Sequence, residues 1–171
     1  MARPMVHGLA IVAGLAIAAS AGAALAQPAT PVVGAARVID SDVIAIGEQR
    51  FVLHGVESVE RGQPCYIGNQ LWDCYPAAVR ELELLVSLGD VRCLPVAGPD
   101  MYGRLFAVCD VQGLSINEGY VRAGFGIARP QETADYVAAQ EAAMAERVGL
   151  WQANFQPPGE FRRAQGIDDR P

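Results

Sequence analysis

The sequence predicts an α+β fold, mainly β, and three observations carry that reading. Short apolar runs broken by turn residues come first, one helical spacing of apolar positions follows, and a later pair of apolar runs is hinged on a Gly-Pro-Asp turn. Five strands with a helix between the third and the fourth is the element order of a five-stranded OB-type barrel. Two more helical patterns follow the hairpin, so the barrel is expected to carry three helices. At 171 residues the chain has room for one domain and a processed segment, and its 51% hydrophobic content excludes a disordered or low-complexity protein.

Residues 35–39, 43–46 and 50–53 are the first three runs, separated by Asp40-Ser41-Asp42 and Gly47-Glu48 in the manner of a meander. Residues 76–88 read as a helix, with Ala78, Leu82, Leu85 and Val86 on one face and Gly89 at the end. Residues 90–94 and 104–109 form the hairpin around Gly98-Pro99-Asp100. The second helix covers 115–123 and closes at Gly124. The third covers 133–148, with Thr133 as its cap, Gly149 as its stop, and Ala residues with Val137, Met144 and Val148 on its buried side. The domain is expected over 33–156, after a linker at 27–32 and before a flexible, Pro- and Gly-rich tail at 157–171.

Residues 1–26 have the makeup of a secretory signal peptide: Arg3, an uncharged run from Gly8 to Leu25, and Ala24-Leu25-Ala26 before Gln27. An uncharged run of that length also suits a membrane anchor, but its small residues and the Ala-x-Ala site favour cleavage. The protein is therefore expected to be exported, periplasmic or secreted, without stable membrane association after cleavage.

The chain contains no lysine, and 13 arginines face 19 acidic residues, a formal charge of −6 that drops to −7 once Arg3 is removed. Such a balance disfavours bulk binding of polyanions, nucleic acid included. All four cysteines lie in the exported part, where an even number reads as two disulfides with three ways to pair. No C-x-x-C is present and His54 is the one histidine after the leader, which argues against zinc. Folding the hairpin about residues 100–102 sets Cys93 opposite Cys109, within bridging distance for facing strand residues. That leaves Cys65 and Cys74 to close a short loop through Gly68-Asn69.

Several ordered motifs then resemble the staphylococcal-nuclease-like (thermonuclease) family. They are Val38-Ile39-Asp40-Ser41-Asp42, Leu53-His54-Gly55-Val56-Glu57-Ser58-Val59-Glu60, Asp100-Met101-Tyr102-Gly103-Arg104, Val121-Arg122-Ala123-Gly124-Phe125, Gly149-Leu150-Trp151 and Phe161-Arg162. The resemblance implies calcium held by Asp42, the Glu57 side chain and the Ser58 carbonyl, with Asp40 in the layer behind them. It also implies Glu60 as general base and Arg104 as one of two phosphate-binding arginines. Phosphodiester hydrolysis needs such a held cation, an oriented water and charge neutralisation at phosphorus.

The pattern departs from that family where it matters. The second phosphate arginine falls at Val52, for which Arg50, two residues away on the same strand face, is the candidate substitute. Glu57 replaces a shorter aspartate, and Val59, Ser41 and Val43 replace a proline, a glycine and a threonine. Read without the family, Asp40-Ser41-Asp42 is an ordinary turn, and Glu57 and Glu60 lie in a solvated loop. Two readings stay open: an exported, weakly active calcium-dependent nuclease, and a non-catalytic envelope module whose ligand is a polysaccharide, a nucleic acid or a protein.

Overall fold

The computed structural model describes Met1 and residues 29–167; the expected signal peptide lies outside the described residues. Strands β1 (Val32–Gly34), β2 (Ala36–Asp40), β3 (Val43–Ile46), β4 (Gln49–Leu53) and β5 (Val56–Glu57) lead into the short hairpin β6 (Cys65–Ile67) and β7 (Gln70–Trp72). Helix α1 (Cys74–Val86) precedes β8 (Val91–Pro99), β9 (Leu105–Val111) and β10 (Leu114–Ser115). Then come α2 (Ile116–Arg122), β11 (Ile127–Ala128), α3 (Val137–Glu146), a 3-10 turn (Gly149–Gln152), β12 (Asn154–Phe155) and α4 (Pro158–Ala164). Among the described residues no helix is long and apolar enough to cross a membrane.

The main sheet has seven strands in the order β1-β8-β9-β4-β3-β2, with β10 added to β9. The β4–β9 pair is parallel and the other pairs are antiparallel, so the sheet is mixed. This corrects the expected fold: the sheet is an open half-barrel and not a closed five-stranded OB barrel, and among the described residues it carries four α-helices where three were expected. The cause is at the chain's start. Val32–Gly34, which no expected strand includes, adds an edge strand against β8, while β2 pairs with β3 at the opposite edge. The two edges are linked through Ala35, and no ladder of hydrogen bonds joins them.

Alternation along β4 divides the interior in two. Phe51 and Leu53 enter the main core with Ile44, Leu82, Ile116 and Tyr120, whereas Val52 joins Val43 and Phe106 in a small separate cluster beside Ile39. Two disulfides brace this frame. Cys93 and Cys109 are ladder partners on β8 and β9, with Cα atoms 4.1 Å apart, and Cys65–Cys74 ties the β6–β7 hairpin to the start of α1.

Helix ends follow local chemistry. Ser115 caps α2 by accepting the Glu118 N–H at 3.1 Å. Helix α3 is shorter than its apolar pattern predicts: it starts at Val137, not Thr133, and stops where Arg147 turns left-handed at φ 53°. Ala139 and Ala143 form its buried side, while Met144 is exposed. Pro158 opens α4, a position where the missing N–H costs nothing. This helix lies within the stretch expected to be a flexible tail, and Arg162 on it is buried.

Candidate functional site

The site grows from the loop after β4, where the chain must turn tightly beneath α3. Gly55 has φ +73°, and a Cβ there would sit 2.9 Å from the Tyr136 ring, so glycine is required on both counts. The Gly55 N–H donates to Glu132 at 2.8 Å, and Glu132 also receives Arg129 and lies 3.6 Å from His54 Nδ1. Two residues on, Glu57 pairs through β5 with Ile127 of β11.

Arg162 of α4 reaches back over a hundred positions of sequence to this loop. Its guanidinium donates to Glu57 Oε1 and, at 2.6 Å, to Glu60 Oε1. Arg129 adds a second cation 3.6 Å from Glu57. The Arg162 side chain is only 8% exposed, so these are buried, charge-assisted contacts. Burial works to lower the guanidinium pKa, but the hydrogen bonds to Glu60 and Glu57 outweigh it and hold the group above its ordinary value. Glu60 lies above its ordinary 4.5: burial pushes it up, the Arg162 hydrogen bond pulls it down, and the neighbouring Asp42 and Asp40 charges add to the rise. Gln63 locks the same corner, accepting the Glu60 N–H at 3.0 Å and donating to the Gln156 carbonyl at 2.7 Å.

The other expected site residues have surroundings of their own. Asp40 accepts the Ser41 N–H at 2.9 Å and the Tyr75 hydroxyl at 2.8 Å. Arg61 donates to that same hydroxyl at 2.8 Å and stacks 4.7 Å above the Tyr75 ring. Burial, with Asp40 as hydrogen-bond partner, pushes the Tyr75 phenol up to about 12. The Ser58 hydroxyl donates to the Phe125 carbonyl at 2.8 Å and lies 3.0 Å from the Tyr120 hydroxyl. Asp42 is half-buried at the β2–β3 turn, where its backbone carbonyl accepts Leu53 N–H at 3.0 Å. Arg104 closes the β8–β9 turn, its Nε 2.5 Å from Asp100 Oδ2 and its guanidinium 5.0 Å from the Tyr102 ring centre. Arg50 is exposed on β4.

Among the described residues, no group of three His, Cys, Asp or Glu side chains could hold a metal ion. The expected calcium set of Asp42, the Glu57 side chain and the Ser58 carbonyl, with Asp40 behind it, is not such a group, since it counts carboxylates and a backbone oxygen. Arg162 and Arg129 supply positive charge at Glu57 and Glu60. Val52 is 1% exposed inside its apolar cluster, so the position of the second phosphate arginine is part of the packing. Sequence reasoning missed Arg129, Glu132, Tyr75 and the pairing role of Arg162. No local motif marks them: Arg129 and Glu132 pair across three positions but meet Glu57, Gly55 and His54 only in the fold, and of the four only Arg162 falls within an expected motif, Phe161-Arg162.

Fold and site together define a disulfide-braced, open half-barrel module whose central carboxylates are tied by arginines. No family model matches the chain. It is similar to the succinoglycan biosynthesis protein ExoI of Rhizobium meliloti (strain 1021), with 29% identity over 147 residues, 84% of this chain and 74% of that protein. This relative carries the name of a polysaccharide-biosynthesis protein and not of a nuclease. With the open sheet, it overturns the resemblance to the staphylococcal-nuclease-like family, and the nuclease and hydrolase reading goes with it.

Proposed function

We propose that this chain is a non-catalytic binding module of the cell envelope that acts in polysaccharide assembly by holding a saccharide. The observation that carries the reading is the engagement of Glu57 and Glu60 by Arg162. The carboxylates best placed for acid–base or metal chemistry serve instead to dock α4. Similarity to a protein named for succinoglycan biosynthesis supports the polysaccharide over other ligands. The formal charge of −6 weighs against nucleic acid as the partner. Export to the periplasm or beyond belongs to the same reading, supported by the leader pattern and by two disulfides of a kind that persists in oxidising compartments.

Titration calorimetry with neutral and acidic oligosaccharides and with single-stranded DNA tests this. Saccharide is expected to give saturable heat that chelator leaves unchanged. Saturable heat from DNA alone overturns the reading.

A further inference from the structure

A cleft of about 350 Å³ opens beside the carboxylate–arginine network, lined by Glu57, Trp151, Asn154, Phe155, Pro157 and Pro158. That volume is at the small end of ligand clefts, sized for a single ring rather than a long segment. Its aromatic wall is rigidly placed. Gly124 and Gly149 pack backbone to backbone, a Cβ on Gly149 falling 2.5 Å from the Gly124 carbonyl oxygen. The Leu150 N–H donates to that oxygen at 2.8 Å, and the 3-10 turn then presents Trp151. The Phe155 ring meets Trp151 edge-on, with centroids 5.8 Å apart and planes at 61°.

Trp151 Nε1 is the singular feature. Among the described residues it is the one buried side-chain polar atom with no hydrogen-bond partner. Buried indole N–H groups nearly always find an acceptor, and an orphaned donor destabilises its surroundings. The cleft thus combines an aromatic surface, proline walls and the Glu57 residue, whose Oε1 is held by Arg162 and Arg129, with the unpartnered Nε1 shielded within its Trp151 wall.

We propose that this cleft is a subsite for one neutral pyranose residue, lodged against the Nε1 edge of Trp151 and the proline walls, with a ring hydroxyl accepting from Nε1 and another donating to Glu57 or Asn154. This rests on the saccharide reading above and locates it. A pyranose suits these walls because it presents an apolar C–H face and hydroxyls that both donate and accept. An uncharged sugar also avoids the repulsion that the acidic chain imposes on polyanions. Because Nε1 is shielded from solvent, pairing with a hydroxyl requires the cleft wall to yield, and the indole signal reports that step.

The test uses ¹⁵N-labelled protein, whose two tryptophans, Trp72 and Trp151, give two indole N–H signals. Cellotetraose, laminaritetraose and galactotetraose are the neutral probes, with tetragalacturonate and tetra-alanine as acidic and peptide controls. A neutral probe is expected to shift the Trp151 signal saturably and to leave that of Trp72 in place. Trp151→Phe, which keeps a ring and removes the donor, should weaken binding about fivefold. Asn154→Ala, at the exposed lip, should weaken it about threefold with an unchanged melting temperature. Binding by calorimetry with no Trp151 shift, or with both variants binding like the parent, overturns this site and leaves the saccharide reading standing. Binding of tetra-alanine at Trp151 in place of sugar overturns the assignment to a pyranose. No binding of any saccharide overturns both.

Discussion

Replacing Arg162 by methionine keeps the buried aliphatic stem and removes the cation that α4 brings to the loop after β5. Glu57, 11% exposed, is left with Arg129 at 3.6 Å, and Glu60, 30% exposed, turns to water or takes a proton. Breaking a buried pair typically costs about 3–5 kcal/mol, because the partner's charge stays behind. Residual access to Arg129 and to water places this case at the low end, about 3 kcal/mol. For a domain of this size that is a drop of roughly 10 °C in melting temperature. Urea unfolding and a thermal scan measure it, with exposed Arg163→Met expected within about 0.5 kcal/mol of the parent. The triple variant Glu57→Gln, Glu60→Gln, Arg162→Met should recover much of the loss, since no uncompensated charge remains. An Arg162→Met protein within about 0.5 kcal/mol of the parent would refute the reasoning: α4 would then be held by something other than the ion pairs. The same network has a pH signature. Glu60 binds its proton more readily in the folded chain than in the unfolded one, so its contribution to stability falls as pH climbs from 4.5 through its raised value. Glu60→Gln should flatten that slope.

Three other expectations concern the frame. Asp100 accepts the Tyr102 and Arg104 N–H groups at 2.9 Å each; burial alone would raise its carboxyl, but the Arg104 backbone and side chain and the Tyr102 backbone hold it below 3.8. Its stabilisation is therefore complete above 3.8 and lost as pH falls through the lowered value, and Asp100→Asn should be less stable at neutral pH and lack that acid loss in a denaturation series. Peptide mapping without reductant should recover Cys65 with Cys74 and Cys93 with Cys109, and each closed loop is worth roughly 2–3 kcal/mol by the loop-entropy relation, so a crossed pairing would break the β8–β9 register. Val52→Arg should destabilise by several kcal/mol, on the order of 3–5 kcal/mol, because the charge enters the cluster of Val43 and Phe106 with no anion to meet it; a stable Val52→Arg protein by urea titration would show that this face opens to water.

Much of the local structure was legible in residues alone. The apolar runs over 43–46 and 50–53 and the helical stretch 115–123 report backbone preferences that act within a few residues, and the structure has strands and a helix there, whereas β8 runs on to Pro99 and places the turn after the Gly98-Pro99 signal. Short-range signals also misled: Thr133 has the chemistry of a cap, yet helix α3 begins at Val137 because Thr133 and Tyr136 close over Gly55. The meaning of the carboxylates was not legible. Asp40 and Asp42 suit a cation by spacing and Glu57 and Glu60 follow a family pattern, but only the approach of Arg162 from 102 positions away makes Glu60 an anchor. Closure of the sheet escaped for a like reason. A strand's pattern says which face is buried but not which strand it pairs with, so the shift of edges across Ala35 is invisible before the chain folds. By itself the sequence determined which segments extend, coil and turn, because those choices are settled by neighbours along the chain. Only the tertiary structure decided the open sheet, the arginine-bound acids and the orphaned indole of Trp151, because pairing, charge compensation and burial depend on groups that meet only in three dimensions.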